Sequence, residues 1–296
     1  RFFLLPMLDG WTNVFADPGK RTTGTGAQKF AITGPGWKGT LPPGVKQIKS
    51  GTGIVWMLGR IYCDGTPEDY AAVHALQDQM SAVPLSSYGK AYTRPAGVVD
   101  PKVDMKTAVR ELVNNMDGAS YFALFAQLLK TNPPAAADAP MIAKLAKIGI
   151  VPGRDFDASK LDASVAKGVG RAPKPAQRKI MRWMKQGIVA GDLKLKEGWL
   201  YTTKTGLYGT NYRQRALITA IGLGANRPQD AIYPTSTGPD LLQKYSGAKK
   251  YVMHFPKGHL PPVDGFWSLT MYDTGYFFVP NALNRYTVSQ RNKLKA

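Results

Sequence analysis

Apolar and polar positions change period twice along the chain. Near the start, Lys29-Phe30-Ala31-Ile32-Thr33 alternates and runs into GPGWKG (34–39). After a Pro-Pro-Gly turn, GIVWMLGRIYC (53–63) forms an apolar run suited to a strand buried on both faces. Thr66-Pro67-Glu68-Asp69 then predicts a helix start, with a capping hydroxyl, a first-turn proline and two acids at the positive end. Val73, Leu76, Gln77 and Met80 continue it until Pro84. Helical spacing dominates 104–200, with helices predicted over Ala119–Lys130, Ala135–Ile148, Ala158–Val169 and Pro175–Gly187. From Trp199 alternation returns, interrupted by a helix over Tyr212–Leu223. Strands are predicted over Tyr251–Phe255 and Phe266–Asp273. The order predicts an α+β chain: a β-rich domain at 1–90, a helical bridge at 91–198 and a β-rich domain at 199–296.

Composition narrows the class. At 296 residues, 44% hydrophobic and 20% charged, the chain suits two folded domains rather than disorder. A single cysteine, Cys63, excludes an internal disulfide framework and a cysteine-based metal cluster. No stretch approaches the roughly 18 apolar residues of a membrane span. The opening Arg-Phe-Phe-Leu-Leu-Pro-Met-Leu lacks a small-residue cleavage site and reads as an interior strand. The net charge of +19 is spread: residues 1–90 hold 9 basic and 6 acidic, 91–200 hold 18 and 10, and 201–296 hold 12 and 4. This reads as a diffusely basic surface open to contact with an anionic surface.

Three passages carry a family resemblance. ITGPGWKGTLPPGV (32–45), through GTGIVWMLGRI (51–61) to Val83-Pro84-Leu85-Ser86, resembles the later part of domain of unknown function 1254. GLYGTNYRQRALITAIGLGANRPQDAIYP (206–234) resembles the entry into domain of unknown function 1214. YVMHFPKGHLPPVDGFWSLTMYD (251–273) with VPNALNRYTVSQRN (279–292) resembles the body of that second domain. The stretch STGPDLLQKYSGA (236–248) departs from the usual Asp-rich turn. The resemblance implies two β-sandwich or jelly-roll-like domains bridged by helices, incomplete at both ends with a sheet edge left open. It also implies a periplasmic or secreted protein without an assigned activity.

Chemistry is sparse. Gly34, Gly36 and Gly39 fit G-x-G-x-x-G, but Thr40-Leu41-Pro42-Pro43-Gly44 cannot open the helix a dinucleotide needs, so the passage reads as a turn. Histidines number three: His74 on the first helix, His254 in a strand, and His259 before Leu260-Pro261-Pro262. His254, His259 and Asp264 form the local set able to move a proton or hold a metal, with the bend GHLPPVDG (258–265) at the rim of a cleft. The residue set leaves metal dependence open, and no cofactor is expected. Trp267 and Tyr272 are candidates to line a sugar-binding pocket, Arg285 to grip an acid, and Tyr208 and Arg215 to join such a site or pack together. Pro175–Gly187 carries Arg178, Lys179, Arg182 and Lys185 around Ile180, Trp183 and Met184. Without a nucleic-acid module it reads as a helix with its basic side outward. The leading expectation is an envelope or secreted protein binding a glycan-like or acidic small molecule. A hydrolase using His254, His259 and Asp264 and a homo-oligomeric assembly protein are the alternatives.

Overall fold

The computed structural model describes residues 1–239, 243–292 and 294. Seven short strands come first: β1 (Phe3–Leu4), β2 (Met7–Asp9), β3 (Val14–Ala16), β4 (Phe30–Thr33), β5 (Lys46–Lys49), β6 (Val55–Met57) and β7 (Arg60–Ile61). Six helices follow: α1 (Pro67–Gln77), α2 (Val109–Asn114), α3 (Gly118–Leu129), α4 (Ala139–Ala146), α5 (Ala163–Arg171) and α6 (Pro173–Val189). Then come β8 (Lys194–Lys196), β9 (Trp199–Tyr201), α7 (Tyr212–Gly222), β10 (Thr235–Ser236), β11 (Ser268–Thr270) and β12 (Thr287–Ser289). At 29% helix and 13% strand the chain is α+β, with helix the larger share.

The chain forms two compact units. The larger spans 5–59 and 83–245; the smaller joins 1–4, 60–82 and 246–296. In the larger unit β2 lies between β3 and β6, both antiparallel to it. β9 likewise lies between β8 and β10, while β4 and β5 pair in parallel. The 12-residue connection from β4 to β5 holds the glycine pattern, and turns rather than a helix occupy it.

Two apolar clusters hold this unit. Ala126, Leu129, Ile150 and Phe156 are buried with Trp11, Phe122, Phe125 and Leu161 around them. Trp183, Leu193 and Leu217 form the second, flanked by Met184, Ile188, Leu200 and Ile221. The helices begin where local chemistry satisfies their free N–H groups. Asp117 caps α3 by accepting from the Ser120 N–H at 2.9 Å and from its hydroxyl at 2.7 Å. Gly118 then lets α3 approach α5, because a Cβ there would lie 2.2 Å from the Val169 carbonyl oxygen.

In the smaller unit β1 pairs with β7 and β11 with β12, both antiparallel. Thr66 caps α1 as its sequence predicts, accepting from the Asp69 N–H. Arg1 is ion-paired with Asp69, and the Arg291 guanidinium lies over the Tyr62 and Phe266 rings at 4.9 and 5.5 Å.

Among the described residues every sheet has two or three strands. Several strand expectations are corrected. Tyr251–Phe255 is irregular chain, so His254 does not sit in a strand. Of Phe266–Asp273 only Ser268–Thr270 is extended in a ladder, with Tyr272 making an isolated bridge to Phe278. Prolines at 256, 261 and 262 remove the donors a longer ladder would need. The run 53–63 splits into β6 and β7. β6 pairs only with β2, leaving Trp56 and Met57 41% and 45% exposed rather than covered on both faces.

Candidate functional site

The larger unit holds a cleft of about 450 Å³ where the β9–α7 connection meets the loop after α7. Arg21, Lys204, Tyr208, Asn211, Gln214 and Arg227 supply its polar wall. Its walls are tied by hydrogen bonds to backbone carbonyls. Val14 N–H donates to the Gly206 carbonyl at 2.6 Å, Arg227 Nε to the Val14 carbonyl at 2.8 Å, and Thr205 Oγ1 to the Asn226 carbonyl at 2.8 Å. Gly206 has φ +71°, and a Cβ there would stand 2.8 Å from the Arg227 nitrogen, so glycine allows the two loops to meet. Tyr208 N–H donates to Asn13 Oδ1 at 3.1 Å, and Asn13 is itself fixed by Asp9.

Charge in the cleft is paired from behind. Arg21 clasps Asp230 with Nε and Nη2 at 2.8 and 2.7 Å, and its Nη2 also reaches Asp17 at 2.6 Å. Arg227 Nη1 stands 3.9 Å from the same Asp17 oxygen. Burial raises the Asp17 pKa above its ordinary 3.8, and a hydrogen bond with Asp230 adds to this against the pull of Arg227 and Arg21. The Asp230 hydrogen bond in turn raises the Arg21 pKa. Lys204 Nζ and Asn211 Nδ2 each lie 2.7 Å from Asp192. Burial opposes ionisation of Asp192, yet these two donors hold its pKa below normal.

Gln214 is the outlying feature. It is only 1% exposed, and its Nε2 makes two long bonds, 3.3 Å each, to Thr202 Oγ1 and the Lys204 carbonyl. Its Oε1 is buried without a hydrogen-bond partner in the protein. A buried acceptor left unpaired costs about 1–3 kcal/mol, so this oxygen favours a donor brought from outside. The cleft therefore has cations at its rim and, on the lining residue Gln214, a buried acceptor without a partner.

The residues expected from sequence fall in three places. Tyr208 is buried in the cleft wall, and burial raises its pKa. Arg215 lies behind it, with its guanidinium 6.0 Å from the Tyr208 ring and 5.7 Å from that of Tyr212, and Nη2 donating to the Gly209 carbonyl at 2.8 Å. Trp267, Tyr272 and Arg285 belong to the smaller unit. Trp267 packs on Phe255 at 5.4 Å, Tyr272 meets Phe278 at 5.5 Å, and exposed Arg285 lies in a turn held by Asn281. His254, His259 and Asp264 are all exposed; the His259 N–H closes a turn onto the Pro256 carbonyl at 2.9 Å. His74 is exposed on α1. Among the described residues no three His, Cys, Asp or Glu side chains gather into a cation-binding group.

Arg21 and Arg227 escape the sequence reading because Asp230 and the Val14 carbonyl, which hold them, lie about two hundred positions away, and Lys204 and Gln214 because no local motif marks their contacts across the β9–α7 connection. The available signal is a glutamine on an otherwise packed face of α7, since Gln214 shares burial with Leu217 and Ile218.

Comparison with known proteins now adds the ends of the chain. Residues 1–84 match the family model described as Protein of unknown function (DUF1254), and residues 230–296 match Protein of unknown function (DUF1214). The two matches lie at opposite ends of the chain. No curated protein matches its sequence. A crystal structure of the VPA0106 protein from Vibrio parahaemolyticus is similar in fold, with a TM-score of 0.62 at 24% identity, covering 98% of this chain and 67% of that one. Asp17 and Arg21 lie in the first match, and Asp230 opens the second. Among the described residues no helix is long and apolar enough to cross a membrane.

Proposed function

We propose that this chain is a binding protein for a small hydroxylated acid, such as a sugar acid, held in the cleft between the β9–α7 connection and the loop after α7. The observation that carries the reading is the buried, unpartnered Gln214 Oε1 in a wall whose rim holds Arg21, Lys204 and Arg227. A ligand carboxylate meets a guanidinium or ammonium by charge-assisted hydrogen bonds, while a ligand hydroxyl donates to Gln214. Tyr208 and Leu207 add apolar surface suited to a sugar ring.

Isothermal titration with glucuronate, galacturonate, glucose and acetate tests the reading. The sugar acids should bind, with glucose and acetate at least tenfold weaker, because each supplies half of the required groups. Equal affinity for all four, or none for any with the fold intact by circular dichroism, refutes it.

A further inference from the structure

A second surface stands apart from the cleft. Between Asp162 and Asp192 the chain has no acidic residue, yet it carries Lys167, Arg171, Lys174, Arg178, Lys179, Arg182 and Lys185. Five of these lie on α6, all exposed, and among the described residues none is ion-paired. At 3.6 residues per turn, Lys174, Arg178, Arg182 and Lys185 fall within an arc of roughly 80°, extending about 16 Å along the axis. Met181 and Val189 border or share that arc, exposed at 42% and 92%.

The other side of α6 is already occupied. Trp183 is buried with Leu193 and Leu217, Met184 and Ile188 pack beside them, and the Arg213 guanidinium covers the Trp183 ring at 5.1 Å. The helix is thus anchored to its own unit and presents the cationic arc as a fixed face.

We propose that this face of α6 docks on an anionic lipid membrane. Cations with no ion-pair partner among the described residues keep their attraction for a negative surface, and a polybasic stripe gains from each one near the headgroups. Val189 and Met181 select lipid over nucleic acid. An apolar side chain beside the cations gains by entering the acyl boundary, whereas a phosphate backbone rewards only the charge. The contact is peripheral and independent of the cleft.

Vesicle sedimentation tests this with 70:30 phosphatidylcholine–phosphatidylserine at 0.1 M salt. The chain should bind, and pure phosphatidylcholine should not hold it. Replacing Lys174, Arg178, Arg182 and Lys185 together by Gln should weaken binding at least tenfold. Replacing exposed Lys38, Lys46, Lys90 and Lys102 by Gln removes equal charge and should cost less than threefold. Val189→Ser with Met181→Ser should weaken it several-fold with charge unchanged, and circular dichroism verifies each fold. Equal loss in the two quadruple variants, no effect of the apolar pair, or capture of single-stranded RNA in place of vesicles overturns the proposal.

Discussion

Gln214 places stability and binding in opposition at one side chain. Its Oε1 is buried and unpaired, and its Nε2 bonds are long, so the carboxamide contributes little to the fold. Gln214→Met keeps the volume and removes the unpaired acceptor. The expected outcome is a stability unchanged or raised by up to about 1 kcal/mol, together with at least tenfold weaker binding of sugar acids. Calorimetry and titration on the same variant check both, and a clear loss of stability would show that the glutamine is structural. Arg227→Gln should behave differently. It loses the Val14 carbonyl contact and the charge near Asp17, so binding and about 1–3 kcal/mol of stability should fall together, read by urea denaturation.

At the scale of elements, most helices were legible and most strands were not, although α2 was missed and Ala158–Val169 divides into a short turn and α5. Ala119–Lys130 predicts α3 within a residue, Pro175–Gly187 falls inside α6, and Thr66 caps α1 as written. These signals are local: a cap, a period and a stop lie within one stretch of chain. Strand length depends on partners elsewhere, so alternation at Phe266–Asp273 overstated a ladder that β12 meets over three residues. The cleft was half legible. Tyr208 and Arg215 stood out as an aromatic and a cation near one another, but the two-pronged grip of Arg21 on Asp230 spans 209 positions. Packing contacts give sharper tests here. Leu217 is fully buried where α6 and α7 meet, so Leu217→Ala should cost about 2–5 kcal/mol in chemical denaturation. Gly118→Ala should cost at least about 1–3 kcal/mol, because its Cβ meets backbone at Val169 that cannot swing aside.

Across the whole molecule, the Asp17–Arg21–Asp230 cluster joins the two family-matched ends of the sequence within the larger unit, and it should leave a pH signature. The ordinary pattern for a carboxylate paired with arginine is a lowered pKa and stability lost in acid. Asp17 runs the other way, since burial and the Asp230 hydrogen bond outweigh Arg227 and Arg21 and raise its pKa above 3.8. The folded state then binds more protons than the unfolded chain between 3.8 and the raised value. By linkage, the Asp17 contribution is fully present below 3.8 and is lost as pH climbs through the folded pKa. Asp192 has the opposite slope, with its stability present above the unfolded value and lost as pH falls through its lowered pKa, so the wild-type curve alone mixes the two. Asp17→Asn separates them, because it leaves Asp192 untouched. The melting temperature of the wild type minus that of Asp17→Asn should become more positive from pH 7 to pH 4. A difference that stays flat or turns more negative toward pH 4 would mean that Arg21 and Arg227, rather than burial, set the Asp17 proton.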